Sequence, residues 1–172
     1  MKNSEIPDRR RFLKVAAAVG AVPAASCTHA GRRWRFFTEE QAATVAAMCD
    51  QIIPPDQDPG AVAAGAVHFI DRQLKGHYAY LQESYLKGIE EIEGAARQKF
   101  GKRFPDLASE QQIELLKERE QSAFFRMVVD HTMQGFYGDP RHGGNRDFAS
   151  WKMMGIPNAP VRGRQQYDFT KS

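Results

Sequence analysis

The side chains with the chemistry for catalysis or metal binding are few in this sequence and widely spaced. Its 2 cysteines can form neither the four-cysteine ligand set of an iron–sulfur centre nor the Cys-x-x-Cys-His of an attached haem. Ser122 and Ser150 lie outside any Gly-x-Ser-x-Gly nucleophile elbow. Four of the five histidines are candidates but are too scattered for a zinc motif: His68, His77, His131 and His142. The sequence therefore predicts no catalytic, cofactor-binding or metal-binding residue in this chain.

Two short segments resemble ligand-binding loops but lack their decisive residues. Asp56 and Asp58 have the spacing that opens a calcium loop, yet no Glu follows at the twelfth position. The glycines at 60 and 65 lack the Lys-Ser/Thr of a phosphate loop, and no Gly-x-Gly-x-x-Gly occurs for a flavin. We interpret Asp58 instead as the N-cap of a helix whose first residue is Pro59.

The N-terminal residues carry the most specific motif in the chain. Residues 8–14 read Asp-Arg-Arg-Arg-Phe-Leu-Lys, and residues 15–25 form a mild apolar run. That run is shorter than the roughly 20 residues that a membrane span needs. The pattern predicts a twin-arginine export signal over residues 1–27, hence the twin-arginine translocase as a partner and a periplasmic location. Its key residues are Arg9, Arg10, Phe12, Leu13 and Lys14. This route carries folded proteins, usually because a cofactor must be inserted before export.

The end of the signal is open to three interpretations. Small residues at 24–26 precede Cys27, which is a candidate lipidation site. A strong lipobox would carry Leu in place of Ala24, so cleavage nearby and a retained signal remain alternatives. If Cys27 is lipidated, Cys49 is a buried thiol without a disulfide partner.

Charge separates the signal from the rest of the chain. The sequence has 24 basic and 21 acidic residues, and the basic excess lies in residues 1–27. The remainder carries equal numbers of the two, which argues against a nucleic-acid-binding protein. Its length suits one domain.

Apolar residues recur at helical spacing along most of this domain, which predicts an all-α class. We expect a connector over residues 28–37 and a helical domain over residues 38–172. Thr38 and Gln41 predict a capping box, followed by a stripe from Val45 to Ile52 that Pro54 must end.

Further helices are expected from Pro59, from about Tyr78 to Phe100, after Ser109 and from about Gln121 to Phe136. Small residues at 61 and 63–66 should allow a neighbour to approach the first of these helices closely. In the second, Glu93 is expected on the exposed face and Gly101 is the expected stop. Residues 109–112 repeat the capping-box pattern.

After Phe136 the helical periodicity stops. Glycines at 143 and 144 followed by Asn145 can take positive φ at low cost, which predicts an ordered bend. The aromatic residues around this bend indicate either a partner surface or a cover over the domain's own core. The residues that we assign to a partner interface are Tyr137, Asp139, Pro140, Gly143, Gly144, Asn145, Phe148 and Trp151.

Nearly the whole domain resembles the gluconate 2-dehydrogenase subunit 3 family. The resemblance is carried by Ile52-Ile53-Pro54-Pro55-Asp56, Pro59-Gly60-Ala61, Ala64-Gly65-Ala66, Phe69-Ile70-Asp71, Phe136-Tyr137-Gly138-Asp139-Pro140, Gly143-Gly144-Asn145-Arg146-Asp147, Trp151 and Gly155. The chain departs from the family pattern at His142, where Tyr is expected, and at residues 149–150, where Val-Gly is usual.

The resemblance implies a small subunit of a flavin-dependent, membrane-associated sugar or polyol dehydrogenase. The partner it implies is a glucose-methanol-choline type flavoprotein that holds FAD, often with a cytochrome c subunit that holds haem c. The chain would then supply the export signal for a flavoprotein that has none. Two alternatives remain at this point: a stand-alone periplasmic adaptor or binding lipoprotein anchored by Cys27, and a metal-binding helical enzyme that uses His68, His131 and Asp71.

Overall fold

The computed structural model describes residues 33–156, which form an all-α domain as predicted. Short 3-10 turns separate several of the helices, and no strand occurs within this range. The α-helices in it are α1 Glu39–Ile52, α2 Ala66–Gln73, α3 Gln82–Phe100, α4 Ser109–Lys117, α5 Ala123–Tyr137 and α6 Ala149–Met153.

Helix α1 has the N-terminal cap and the C-terminal end that the sequence indicates. The Thr38 Oγ1 accepts the N–H of Gln41 at 3.2 Å, and the Gln41 Oε1 accepts the N–H of Thr38 at 3.0 Å. This capping box is the predicted one. The helix ends at Ile52, before Pro54, because proline cannot donate an amide to continue it.

Small residues allow α2 and α5 to pack closely against each other. A Cβ on Gly135 of α5 would lie 2.9 Å from the Cα of Ala66 at the start of α2. The side chains of Ala61, Ala64 and Ala66 are fully buried, which confirms that the alanine-rich segment permits this approach. The largest fully buried apolar side chains of the described domain are Phe37, Val45, Met48, Ile70, Leu74, Tyr85, Ile92, Phe104, Leu115, Val128 and Phe136.

The start of α2 differs from the prediction that Asp58 caps a helix beginning at Pro59. Asp58 instead donates its N–H to the Asp56 Oδ1 at 2.8 Å in a turn, and the helix begins at Ala66 after Gly65 in the left-handed region. The N–H of Ala61 donates to the Ile53 carbonyl at 2.9 Å. This bond ties the chain back to the end of α1, so residues 61–65 form irregular turns.

Helix α3 begins later than predicted, and helix α4 is capped differently than predicted. Residues 79–81 form a 3-10 turn, and α3 begins at Gln82 rather than near Tyr78. The expected stop at Gly101 is confirmed, with φ 70°. The residue at the N-cap of α4 is Ala108, whose N–H donates to the Gln111 Oε1 at 3.2 Å. The predicted capping box at Ser109 is therefore not formed; the cap lies one residue earlier, and alanine has no side-chain acceptor to complete it.

The residues just before α1 are held in the domain by a buried carboxylate. Asp71 is 3% exposed, and its two oxygens accept the backbone N–H groups of Arg35, Phe36 and Phe37 at 2.7, 2.9 and 2.9 Å. Trp34 and Phe37 are buried in the core. Side chains from residues 33–37, which the sequence assigns to the connector, therefore contribute to the helical domain.

The export-signal residues Arg9, Arg10, Phe12, Leu13 and Lys14 and the candidate lipidation site Cys27 lie outside the described residues. Within residues 33–156, no helix is both long enough and apolar enough to cross a membrane.

Candidate partner-binding surface

Asn145 organises the segment that follows α5. Its side chain is fully buried; Nδ2 donates to the Gly138 carbonyl at 2.9 Å, and Oδ1 accepts the N–H of Ser150 at 3.0 Å. Its backbone N–H donates to the Gly135 carbonyl at 2.8 Å, and its φ is 41°. One side chain thus joins the end of α5 to the start of α6, which confirms the predicted ordered bend.

The two glycines before Asn145 are needed for different reasons. Gly143 has φ 103°, a conformation that side chains rarely adopt. Gly144 lies so close to α5 that a Cβ would be 2.0 Å from the Gly135 carbonyl oxygen. The next residue, Arg146, donates its backbone N–H to the Ala64 carbonyl at 2.8 Å. The bend is therefore fixed to both α5 and the turn that precedes α2.

The backbone is strained immediately after this bend. Asp147 has φ 55° and Phe148 has φ 58°, both in the left-handed region that non-glycine residues seldom occupy. Helix α6 then begins at Ala149 and includes Trp151. The prediction that residues around Trp151 are not helical is wrong, since α6 is too short for its periodicity to be visible in the sequence.

Apolar side chains form the outer side of this segment. The Trp151 Nε1 donates to the Tyr137 carbonyl at 3.0 Å, and the Phe148 and Trp151 rings lie 5.6 Å apart. The N–H of Ile156 donates to the Trp151 carbonyl at 2.7 Å. We call this set the aromatic surface: Tyr137, Phe148, Trp151, Met153, Met154 and Ile156. Four of its members are 37% to 45% exposed, namely Tyr137, Met153, Met154 and Ile156, and the rings of Phe148 and Trp151 are half-buried.

The residues assigned to the interface from the sequence therefore separate into two groups. Tyr137, Phe148 and Trp151 belong to the aromatic surface, while Gly144 and Asn145 are buried beneath it. Gly143, Asp139 and Pro140 belong to the bend, where the Asp139 Oδ1 accepts the N–H of Arg141 at 3.0 Å. Whether a partner covers the surface stays a prediction.

Sequence reasoning missed the methionines and the isoleucine of the aromatic surface. Met153, Met154 and Ile156 have no helical periodicity that would single them out, since they lie at the end of a helix of about one turn or just after it. Their only sequence signal is a cluster of apolar residues after Trp151 within a segment otherwise rich in glycine and polar residues.

The histidines proposed for metal binding have other partners. The His131 Nδ1 lies 2.8 Å from the Tyr85 hydroxyl, and its ring stacks on Tyr78 with centroids 4.3 Å apart. Burial lowers the pKa of His131, against a smaller opposing effect of the Asp130 carboxylate. His68 stacks on Trp34 at 4.5 Å instead. Across residues 33–156, no group of three His, Cys, Asp or Glu side chains is placed to hold a metal ion.

Cys49 is a core residue in an environment that suppresses thiol reactivity. It is fully buried, its Sγ lies 3.2 Å from the Thr132 Oγ1, and burial raises the pKa of the thiol to about 12. A thiolate is the nucleophilic form, so this thiol is inert near neutral pH.

Comparison with known proteins identifies the family. No curated protein and no solved structure matches the chain significantly. The family model described as gluconate 2-dehydrogenase subunit 3 matches residues 39–157. That range spans all six helices and the aromatic surface. The chain therefore belongs to the gluconate 2-dehydrogenase subunit 3 family, the small subunits of dehydrogenase complexes.

Proposed function

We propose that this chain is the non-catalytic small subunit of a periplasmic flavin-dependent dehydrogenase that acts on a sugar or sugar acid. Its role is to bind a glucose-methanol-choline type flavoprotein and to supply the export signal for the complex. The observation that carries the proposal is the aromatic surface, which exposes apolar side chains on a fixed backbone in a member of a dehydrogenase-subunit family.

The aromatic surface has the properties of a binding site that is formed before its partner arrives. Aromatic residues and Met are the types enriched at protein interfaces. The bonds of Asn145 and the close contact of Gly144 fix the backbone, so little conformational entropy remains to be lost on association. The positive φ values at Asp147 and Phe148 are strain of the kind found at functional sites.

The chemistry of the reaction is assigned to the partner. The sequence of this chain has no flavin or haem motif, and its buried His131 and Cys49 are engaged in core contacts. FAD would accordingly be held by the flavoprotein, and haem c by a cytochrome c subunit where one is present. The paired residues Arg9 and Arg10 support export of the folded pair by the twin-arginine translocase. Membrane association would come from the complex or from a lipid on Cys27.

Purification of the tagged full-length chain from its host tests this proposal. We expect one flavoprotein to copurify in fixed stoichiometry, with flavin absorbance and dehydrogenase activity towards a sugar or sugar acid. The complex should be recovered from the periplasmic or membrane fraction. A chain that purifies alone, or with partners that carry no flavin, contradicts the proposed function.

A further inference from the structure

A cavity next to the bend is lined by two arginines. It has a volume of about 370 Å³ and lies between residues 33–34, α1, the first turn of α2 with the turn before it, and the bend. Arg33 and Arg146 both line it, together with the stacked rings of Trp34 and His68. Among the described residues, neither arginine forms an ion pair with a carboxylate.

The carboxylates near this cavity are engaged elsewhere. The Glu39 Oε2 accepts the Trp34 Nε1–H at 2.8 Å, and Asp71 accepts the three backbone N–H groups of residues 35–37. The Arg33 guanidinium lies 5.1 Å from the centroid of the Trp34 ring, which positions it at the cavity wall. Both guanidinium groups therefore have donors to offer to a ligand.

From this arrangement we infer that the cavity is a binding site for a single carboxylate group, held between Arg33 and Arg146. The permanently charged side chains of the wall are two arginines and Glu39. They sum to one positive charge, which matches a monoanion better than a phosphate or sulfate dianion. Planar guanidinium groups also suit a carboxylate, which they can bind through two parallel hydrogen bonds.

The other residues that line the cavity indicate the chemical nature of the rest of the ligand. This part of the wall is aliphatic, formed by Ala42, Ala43, Ala46, Val62 and Val67. A short hydrocarbon chain fits it, as in a free aliphatic acid or in an Asp, Glu or C-terminal carboxylate of a bound polypeptide. The inference concerns this carboxylate alone and does not depend on the identity of the flavoprotein.

His68 reports on the occupancy of the site. Burial is the largest of the effects that lower the pKa of His68, and the positive charges of Arg146 and Arg33 lower it further. The Asp71 carboxylate has a smaller effect in the opposite direction. Of the cavity carboxylates, Glu39 is bound to the indole of Trp34. A ligand carboxylate between the arginines offsets their charge, so binding raises the pKa of His68.

The experiment is an NMR titration of His68 in the ¹⁵N-histidine-labelled full-length chain, with the signal assigned by His68→Gln. Sodium butyrate should raise the pKa of His68 saturably, whereas sodium sulfate and sodium chloride at equal ionic strength should not. Arg146→Gln should raise the pKa of His68 in the unliganded chain and weaken butyrate binding by about tenfold or more. Arg126→Gln, which removes an exposed charge from α5, is the matched control and should change neither.

The same titration on the copurified complex separates the two sources of the carboxylate. A pKa already raised in the complex and insensitive to butyrate indicates a carboxylate of the partner, whereas a butyrate response in both preparations indicates a free acid. The inference is overturned if butyrate acts no differently from chloride in the isolated chain and the complex shows no raised pKa. Equal butyrate affinity of Arg146→Gln and the unmodified chain also overturns it. Failure of the complex to form would contradict the proposed function but leave the butyrate result in place.

Discussion

Gly144 is in contact with the carbonyl group of Gly135, and a Cβ at Gly144 would stand only 2.0 Å from that oxygen. The next residue, Asn145, donates its N–H to the same carbonyl at 2.8 Å. Two consecutive residues thereby hold the bend against the last turns of α5. This contact explains in structural terms why a Gly-Gly-Asn sequence is found beneath the aromatic surface.

Gly144→Ala should destabilise the domain strongly. The atoms nearest to the added methyl group belong to the backbone of Gly135 and cannot move aside as a side chain could. We expect a loss of about 3 kcal/mol in the free energy of unfolding, at the upper end for overpacked sites. Urea unfolding followed by circular dichroism measures it.

The control for this prediction is a glycine in open surroundings. Gly94 lies in α3 with no atom within 4 Å of its Cβ position, so Gly94→Ala should stabilise the protein by about 0.5 to 1 kcal/mol. Equal stability of Gly144→Ala and the unmodified protein would show that the bend does not pack on α5 as described.

Asp71→Asn should weaken the attachment of residues 35–37 to the rest of the domain. The two carboxylate oxygens accept three backbone N–H groups, whereas an asparagine has one acceptor oxygen and an NH₂ group that repels an amide donor. At least one buried N–H loses its partner, which costs about 1 to 3 kcal/mol. Urea unfolding should show this loss, and limited proteolysis should cut near residue 35 faster. Asp130→Asn, on the exposed face of α5, is the control and should leave both unchanged.

The sequence predicts most of the helical framework because that framework depends on local signals. The capping box at Thr38, the prolines after α1 and Gly101 after α3 each act within a few residues. The stripe of α1 is buried as expected at Val45, Met48 and Cys49.

The errors arise where contacts between distant residues decide the conformation. The turn at residues 61–65 exists because the chain is tied back to Ile53, and no local pattern reports that bond. Glu93 was expected on the exposed face of α3 but is buried, because its Oε1 accepts the hydroxyl of Thr44 at 2.6 Å. The cavity with Arg33 and Arg146 brings together residues from opposite ends of the domain, so spacing in the sequence could not indicate it.

Arg9→Lys combined with Arg10→Lys should keep both this subunit and its flavoprotein inside the cell. The reason is that one twin-arginine motif serves two chains in the proposed complex. Immunoblots of periplasmic and cytoplasmic fractions for each subunit provide the measurement. If the flavoprotein still reaches the periplasm, it has its own route and the escort role is wrong. Arg32→Lys and Arg35→Lys, outside both the motif and the cavity, should not alter export.

Cys27→Ala tests lipidation of the exported chain. If Cys27 carries a lipid, the substitution should release the complex from membranes, because acyl chains bind the bilayer with about 0.8 kcal/mol per buried methylene. Membrane fractionation and the intact mass of the exported chain are the two readouts. A mass that falls only by the lost sulfur atom, with an unchanged membrane fraction, would reject lipidation at this residue. Cys49 can be distinguished from Cys27 because its buried thiol should react with maleimide only after the protein is unfolded.

Substitutions in the aromatic surface should weaken the association with the flavoprotein. The Trp151 and Phe148 rings are neighbours in this surface, and truncation of a tryptophan in an interface typically costs about 2 kcal/mol, or a thirtyfold loss in affinity. Trp151→Ala also removes the bond to the Tyr137 carbonyl, so part of its effect falls on the domain itself. Met154→Ser avoids this ambiguity because Met154 is 45% exposed.

Two measurements decide whether this surface binds the partner or covers the domain's own core. They are the affinity of the purified variants for the flavoprotein, from calorimetry, and the melting temperatures of the variants. We expect Met154→Ser to weaken binding without lowering the melting temperature, and Trp151→Ala to weaken it further. Tyr80→Ser is the matched control, since Tyr80 is 74% exposed but lies in the 3-10 turn before α3. If Met154→Ser and Trp151→Ala bind as tightly as Tyr80→Ser while Trp151→Ala melts earlier, the aromatic residues cover this domain's own core. The partner must then bind elsewhere on the domain.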